Sequence, residues 1–136
     1  MLPFTPRFRT AIAHAETRHP HQVSCLDLLA GIISVGSGVA VGLLKSRGFA
    51  ASDLISTSSG EPIGDPRDPN PVQYELCALT ALSRGIDEAV SLSHGLVGIE
   101  HMLAGILVSE CPEVARAFAE RNVSVDETLS ELRKNM

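Results

Sequence analysis

Two segments of this 136-residue chain are versions of one another, and this repeat constrains the possible folds more than any other feature. Residues 23–33 read VSCLDLLAGII, and residues 97–107, 74 positions later, read VGIEHMLAGIL. Further matches occur at the same offset: Ile12 with Ile86, Ala15 with Ala89 and Arg47 with Arg121. Self-similarity at a fixed spacing indicates a duplicated structural unit. We therefore expect two similar halves, and the differences between them pose the functional question.

Length and charge exclude several classes of protein. The chain is long enough for a single domain, residues 1–136, that folds without a disulfide or a metal. A net charge of −5, scattered Lys and Arg residues and few aromatic residues argue against a nucleic-acid partner. Because the chain has neither a signal segment nor a long apolar run, we expect no membrane association and a cytoplasmic location.

The three cysteines, Cys25, Cys77 and Cys111, are an odd number without C-x-x-C spacing. Each lies in an apolar helical pattern. This arrangement favours buried thiols in a reducing compartment over redox chemistry, and it predicts neither a metal site nor a cofactor.

Residues 57–71 separate the two halves and hold four prolines and two glycines, which exclude a helix and predict a linker. The predicted units are repeat one at 1–56 and repeat two at 72–136. The periodicity on both sides is helical, and no alternating segment of any length occurs. We expect an all-α fold of two tandem four-helix repeats packed with pseudo-twofold symmetry.

Capping residues and apolar spacing predict the helices of repeat one. A first helix covers about 5–18, and Ser24 caps a second that ends at the glycines of residues 36–38. A third helix stops at Gly48, and a short fourth begins at Ser52.

In repeat two, a longer first helix covers about 71–91 and carries an apolar stripe of Leu76, Leu79, Leu82, Ile86 and Ala89. The second begins near Gly98 and the third at Pro112, with Asn122 in the place of Gly48. Asp126 and Glu127 suit the first turn of a last helix.

Several of these segments resemble the amino-terminal double-repeat domain of the Clp/Hsp100 unfoldases of the ClpA and ClpC type. Phe4-Thr-Pro-Arg7 is similar to the opening Phe/Tyr-Thr-x-Arg of that family, and the segments at 36–40 and 43–48 resemble G-x-G-V-A and L-K-x-x-G. Residues 94–107 resemble the core G-H-x-x-[IV]-G-T-E-H-L-L-L-G-L-L, with Ser93 in place of its first glycine.

The chain also departs from the family pattern. Leu26 and Asp27 stand where repeat two has Glu100 and His101, and repeat two has Glu110-Cys-Pro in place of the G-x-G turn. If Phe4-Thr5 aligns with the opening dipeptide, the first helix is about one turn short. An ungapped alignment of that helix is also possible, and the sequence does not decide between the two.

No catalytic machinery is evident. The phosphate-binding G-x-x-x-x-G-K-[ST] loop and the nucleophile elbow G-x-S-x-G are both missing, so we expect neither ATP hydrolysis nor a catalytic serine. The candidate binding residues are Glu100, His101, His94 and Thr5.

Three roles are open for the Glu100 and His101 pair. Glu100 can interact with free N–H groups in a first helical turn while His101 is partly buried and bonded to the opposite helix. Alternatively Glu100 recognises a ligand, and the resemblance implies a cationic phosphorylated arginine in some members of the family. A metal site is the third possibility, but the spacing of His94 and His101 argues against it.

The resemblance implies a non-catalytic domain that docks unfolded or tagged substrates, or adaptor proteins, for a Clp ATPase. A free-standing regulatory protein, a small-ligand sensor at the Glu100 and His101 cleft, a divergent enzyme on the same frame and a dimerisation unit are the alternatives.

Overall fold

The computed structural model describes residues 3–18, 22–51, 54, 62–63 and 73–136, and these ranges confirm the all-α prediction. They contain the helices α1 (Pro6–Arg18), α2 (Cys25–Val35), α3 (Val39–Ser46), α4 (Leu76–Ser91), α5 (Ile99–Val108), α6 (Pro112–Glu120) and α7 (Val125–Lys134). Two short strands, β1 (Pro62–Ile63) and β2 (Tyr74–Glu75), pair antiparallel. The fourth helix predicted from Ser52 lies outside the described residues, apart from the buried Leu54.

Capping residues explain the ends of α2 and α3. The Ser24 hydroxyl accepts the backbone N–H of Asp27, and the Asp27 carboxylate accepts the backbone N–H of Ser24, which closes a capping box. Gly36 after α2 and Gly48 after α3 both have φ of 85°, a left-handed conformation that glycine adopts without steric cost. Both stops are where the sequence predicts them.

Repeat two keeps the left-handed backbone at the corresponding stops without glycine. Glu110, 74 positions after Gly36, has φ of 54°, and Asn122, 74 positions after Gly48, also has φ of 54°. Ser93, which replaces a family glycine, has φ of 58°. The turn geometry is therefore retained where the glycine is lost.

The start of α4 corrects the sequence prediction, because this helix begins at Leu76 instead of about residue 71. The preceding residues are extended. Val23 donates its N–H to the carbonyl of Gln73 and accepts the N–H of Glu75, both at 2.9 Å. Backbone groups that bond sideways to another segment cannot also form helical hydrogen bonds, so the helix starts only after Glu75.

The extended residues before four of the helices pair between the two halves. Phe4, before α1, pairs with Val97, before α5, while Tyr74, before α4, pairs with Val23, before α2. The first pairing includes a hydrogen bond from the N–H of Thr5 to the carbonyl of Val97 at 3.0 Å. In each half, the segment before the first helix therefore pairs with the segment before the second helix of the other half, as pseudo-twofold packing requires.

Glycine contacts show how α1 corresponds to α4. A Cβ at Gly31 would lie 2.3 Å from the carbonyl oxygen of Ala11, and a Cβ at Gly105 would lie 2.1 Å from that of Ala81. Ala11 therefore corresponds to Ala81, at an offset of 70, and α1 has 13 residues against 16 in α4. The gapped alignment is correct, and two matches predicted at the 74-residue offset are wrong: Ile12 with Ile86 and Ala15 with Ala89.

The buried face of α4 also differs from the predicted stripe. Small residues face the core: Ala78, Ala81, Gly85 and Ala89. Of the predicted stripe, Ala89 is buried and Leu82 and Ile86 are partly buried against the core, but Leu76 and Leu79 are exposed. The reason is the closeness of α5, since a Cβ at Gly85 would already lie 2.7 Å from the carbonyl oxygen of His101. Large side chains do not fit into this contact, so small residues occupy it.

Aromatic residues join the two halves away from this contact. Phe49 and Phe118 are both buried, with ring centroids 4.7 Å apart, and the guanidinium of Arg121 lies 4.8 Å from the Phe49 ring centroid. Arg121 follows α6 as its C-cap, as Arg47 does for α3, which agrees with the predicted match.

In the ranges that the structure covers, no single helix is long and apolar enough to cross a bilayer. The α2 and α3 pair reaches that length and apolarity only when taken together, across a bend of 106°.

Candidate functional site

The four predicted binding residues meet at one cleft between the two halves. Thr5 from the entry of α1 lines it together with His94, Glu100 and His101 from repeat two, and the cleft has a volume of about 530 Å³. Its remaining lining comes from Ser93, Gly95, Gly98 and the half-exposed Leu96. The cleft therefore contains all four candidates, although Thr5 is distant in sequence from the other three.

His101 is buried at the third position of α5, and both of its ring nitrogens have partners. Its Nδ1 accepts the backbone N–H of Gly98 at 2.8 Å, which caps the helix. Because Nδ1 is an acceptor, the neutral ring carries its proton on Nε2. That N–H donates to Nδ1 of His94, also at 2.8 Å. Burial and the neighbouring His94 lower the pKa of His101 below its usual 6.5.

The expectation that His101 bonds to the opposite helix is therefore wrong. Its partners lie in the loop before α5, because the capping position points the ring back toward that loop. Asp27 has the same role in repeat one, where it caps α2 and pairs with Nε of Arg18 at 3.1 Å. Thus the two repeats share a capping function at this position and differ in its chemistry.

Thr5 also has a local structural task. Its Oγ1 accepts the backbone N–H of Phe8 at 3.1 Å, which caps the first turn of α1. The stacked rings of Phe4 and Phe8, with centroids 4.3 Å apart, hold the same turn. The Thr5 hydroxyl hydrogen can still donate into the cleft, because only an acceptor position of the oxygen is used.

Glu100 differs from the other three candidates. It is half-buried in the first turn of α5, where the helix dipole favours a carboxylate, and no residue of the described part donates a hydrogen bond to it. Arg7 shares with it an adjoining hollow of about 320 Å³ between the two halves. The counterpart of Glu100 in repeat one is the buried Leu26, so only repeat two presents an acid at this position.

Exposed apolar side chains on one side of α4 are not predicted from the sequence. Leu76, Leu79 and Val90 are 64%, 39% and 59% exposed and lie within about 60° of one another around the axis, with the exposed Ser83 and Asp87 between Leu79 and Val90. Leu92 and Leu96, which follow α4, are also exposed, at 43% and 50%, and Leu96 lines the cleft. The sequence does carry a signal for this arrangement. Alanine and glycine recur at helical spacing along α4, and this row of small residues is the face that the structure buries.

No family model matches the chain. The chain is 25% identical over 135 residues to the ATP-dependent Clp protease ATP-binding subunit ClpC of Staphylococcus aureus, a match that covers 96% of this chain and 16% of the relative. The chain thus spans about a sixth of the length of this curated relative.

Two solved structures have the same fold. The N-terminal domain of the chaperone ClpD from Arabidopsis thaliana has a TM-score of 0.66 at 12% identity, and covers 97% of this chain and 93% of that one. The Hsp104 N-terminal domain from Candida albicans has a TM-score of 0.68 at 18% identity, and covers 96% of this chain and 89% of that one. The predicted resemblance to the Clp/Hsp100 amino-terminal domain is confirmed by sequence and by fold.

Proposed function

We propose that this chain, which resembles a Clp/Hsp100 amino-terminal domain in sequence and fold, is a non-catalytic domain that docks protein substrates or adaptor proteins for a Clp-type ATP-dependent unfoldase in the cytoplasm. The observation that carries the proposal is the match to ClpC over 96% of the chain, because so extended a likeness includes both repeats and the cleft between them. The solved neighbours are amino-terminal domains rather than motors, which supports an accessory role.

Exposed apolar side chains on α4 support protein binding. Leu76, Leu79 and Val90 expose large side chains on one side of the helix, and side chains of this kind are typical contacts of a surface that meets another protein. An unfolded polypeptide offers apolar side chains without a fixed shape. Separate apolar contacts along a helix suit such a partner, because they require no particular fold.

Glu100 supplies the polar component of the proposed docking. Its carboxylate has no hydrogen-bond donor among the described residues, whereas Thr5, His94 and His101 form local bonds that maintain the cleft. A carboxylate in this position can accept a guanidinium or ammonium group. We therefore assign cation recognition to Glu100 and a supporting role to the other three residues.

The test is binding of the full chain to a permanently unfolded, reduced and alkylated protein, and to peptides with and without arginine phosphorylation. We expect Leu79→Ser with Val90→Ser to weaken binding of the unfolded protein, and Glu100→Gln to weaken binding of cationic groups only. Val39→Ser is the matched control, because Val39 is 42% exposed and lies on α3.

Failure to bind unfolded proteins, adaptor proteins and a ClpC motor under several conditions would overturn the proposal. Selective binding of a small cationic molecule, lost in Glu100→Gln and unaffected by the α4 variants, would favour a ligand sensor instead.

A further inference from the structure

Three cysteines from three helices meet at one point, apart from the cleft. The sulfur atoms of Cys25, Cys77 and Cys111 all lie within 4.8 Å of one another, and none of the three forms a disulfide. Sulfur ligands of one metal ion, each at about 2.3 Å from it, stand about 3.8 Å apart in a tetrahedral arrangement. The thiols are therefore close to the spacing of a shared ligand set.

Each of these cysteines lies at the amino-terminal end of its helix. Cys25 is the first residue of α2, Cys77 is the second of α4, and Cys111 occupies the N-cap position of α6. Helix amino termini carry partial positive charge, which stabilises thiolates. The expectation of buried cysteines is met by Cys25 and Cys111, whereas Cys77 is half-buried, and the fold brings the three helix ends together.

Burial and hydrogen bonding shift the pKa values of the three cysteines in different directions. The Cys25 side chain and the first-turn N–H groups of α6 lower the pKa of Cys111 to about 6. Donation to Cys111 and burial raise the pKa of Cys25 above its ordinary value, while burial raises that of Cys77 to about 11. Cys25 and Cys111 are buried and Cys77 is half-buried, so an ion can enter on the Cys77 side.

We propose that Cys25, Cys77 and Cys111 form a three-thiolate binding site for a thiophilic d10 metal ion, Zn(II) or Cu(I). Sulfur-only ligation selects soft ions over Mg²⁺ and Ca²⁺. Binding forms three metal–sulfur bonds and releases to solvent whatever protons the three cysteines carry, with no change of oxidation state. The product carries a charge of −1 with Zn(II) and −2 with Cu(I).

The site differs from the expectation of no metal, which rested on the missing C-x-x-C spacing. Ligand spacing along the chain is informative only when neighbouring residues supply the ligands. Here the three ligands come from positions 25, 77 and 111, so the sequence carries no local signature of the site.

The experiment uses the full chain, reduced with a phosphine and kept free of oxygen. Zn(II) and Cu(I) are titrated separately against chromophoric chelators, Co(II) serves as a spectroscopic probe of sulfur ligation, and Mg²⁺ is the negative control. Cys77→Ser is the main variant, and Leu79→Ser on the same helix is its matched control. Cys111→Ser is a second variant, because serine is a favourable cap and should preserve α6.

We expect one Zn(II) or Cu(I) ion per chain, sulfur-to-Co(II) charge-transfer absorption, and affinity that falls roughly a hundredfold or more in both cysteine variants but not in Leu79→Ser. Three outcomes would overturn the proposal: no binding of either ion by the reduced chain, equal affinity in Cys77→Ser, or a Co(II) spectrum without sulfur absorption. Circular dichroism confirms that each variant is folded.

Discussion

The imidazoles of His94 and His101 meet edge on, with Nδ1 of His94 2.8 Å from Nε2 of His101 and an angle of 67° between the rings. Only one proton fits between these two nitrogens. A further proton on His101 would have to take Nδ1, which is the acceptor for the backbone N–H of Gly98. Protonation of this ring therefore removes the cap of α5.

This arrangement makes stability depend on pH. Burial and His94 lower the pKa of His101, although Glu100 and Glu88 act in the opposite direction. A base with a lowered pKa binds fewer protons in the folded state than in the unfolded state. The stability that neutral His101 contributes is therefore fully present above the unfolded pKa of 6.5. It is lost as the pH falls toward the lower pKa of the folded state. Urea unfolding at about pH 7.5 and about pH 5.5 measures this loss.

The matched variants for this prediction are His101→Gln and His14→Gln. Glutamine keeps a hydrogen-bond acceptor but does not titrate, so we expect His101→Gln to depend less on pH than the unmodified chain. His14 is exposed on α1, so its replacement should leave the pH dependence almost unchanged. An identical pH dependence in the unmodified chain and in His101→Gln would contradict the prediction.

The second prediction concerns Asp27, whose side chain is fully buried. Its carboxylate caps α2 and accepts a hydrogen bond from Nε of Arg18. The other two nitrogens of that guanidinium donate to the carbonyls of Ala51 and Leu54. We expect Asp27→Ala to lower the free energy of unfolding by about 2–4 kcal/mol, because it removes a cap and leaves the guanidinium without its carboxylate. Chemical denaturation measures the change.

The control for Asp27 is the more exposed ion pair between Arg133 and Glu88, with the nearest nitrogen and oxygen 2.8 Å apart. The Arg133 side chain is 48% exposed, so we expect Arg133→Ala to cost less than about 1 kcal/mol. Equal losses in the two variants would mean that burial of Asp27 contributes nothing extra.

The third prediction concerns the helix crossings at Gly31 and Gly105. A Cβ at Gly31 would meet the carbonyl oxygen of Ala11 at 2.3 Å, and one at Gly105 would meet both the oxygen of Ala81 and, at 2.5 Å, the nitrogen of Gly85. Backbone atoms cannot move aside as a flexible side chain can. We expect each alanine variant to lose about 3 kcal/mol of stability, measured by thermal and chemical unfolding.

Gly42→Ala is the control for the crossings. Gly42 lies within α3, and a Cβ there meets no atom within 4 Å. Alanine is the better helix former, so this variant should be as stable as the original chain or up to about 1 kcal/mol more stable. Comparable losses at Gly42 and Gly31 would show that close approach is not the cause.

Local chemistry explains why so much of the fold could be predicted. The cap at Ser24, the glycines after α2 and α3, and Pro112 at the start of α6 act through hydrogen bonds and dihedral preferences within a few residues. The apolar repeat at residues 23–33 and 97–107 also placed both core helices correctly, because each half buries the same face.

The errors share one cause, which is competition between segments distant in the chain. The helix expected from about residue 71 starts only at Leu76, because Val23 pairs with the residues before Leu76. Small residues face the core of α4 in place of Leu76 and Leu79, because α5 approaches closely there. Neither fact is encoded near residue 71 or Leu79.

By itself, the sequence determined the all-α class, most helix ends and the resemblance to a Clp/Hsp100 amino-terminal domain, since these depend on local periodicity, caps and motifs. Only the tertiary structure decided the correspondence of α1 with α4, the partners of His101 and the meeting of Cys25, Cys77 and Cys111. Those depend on how closely the backbones of packed helices approach one another, and that distance is a property of the assembled core.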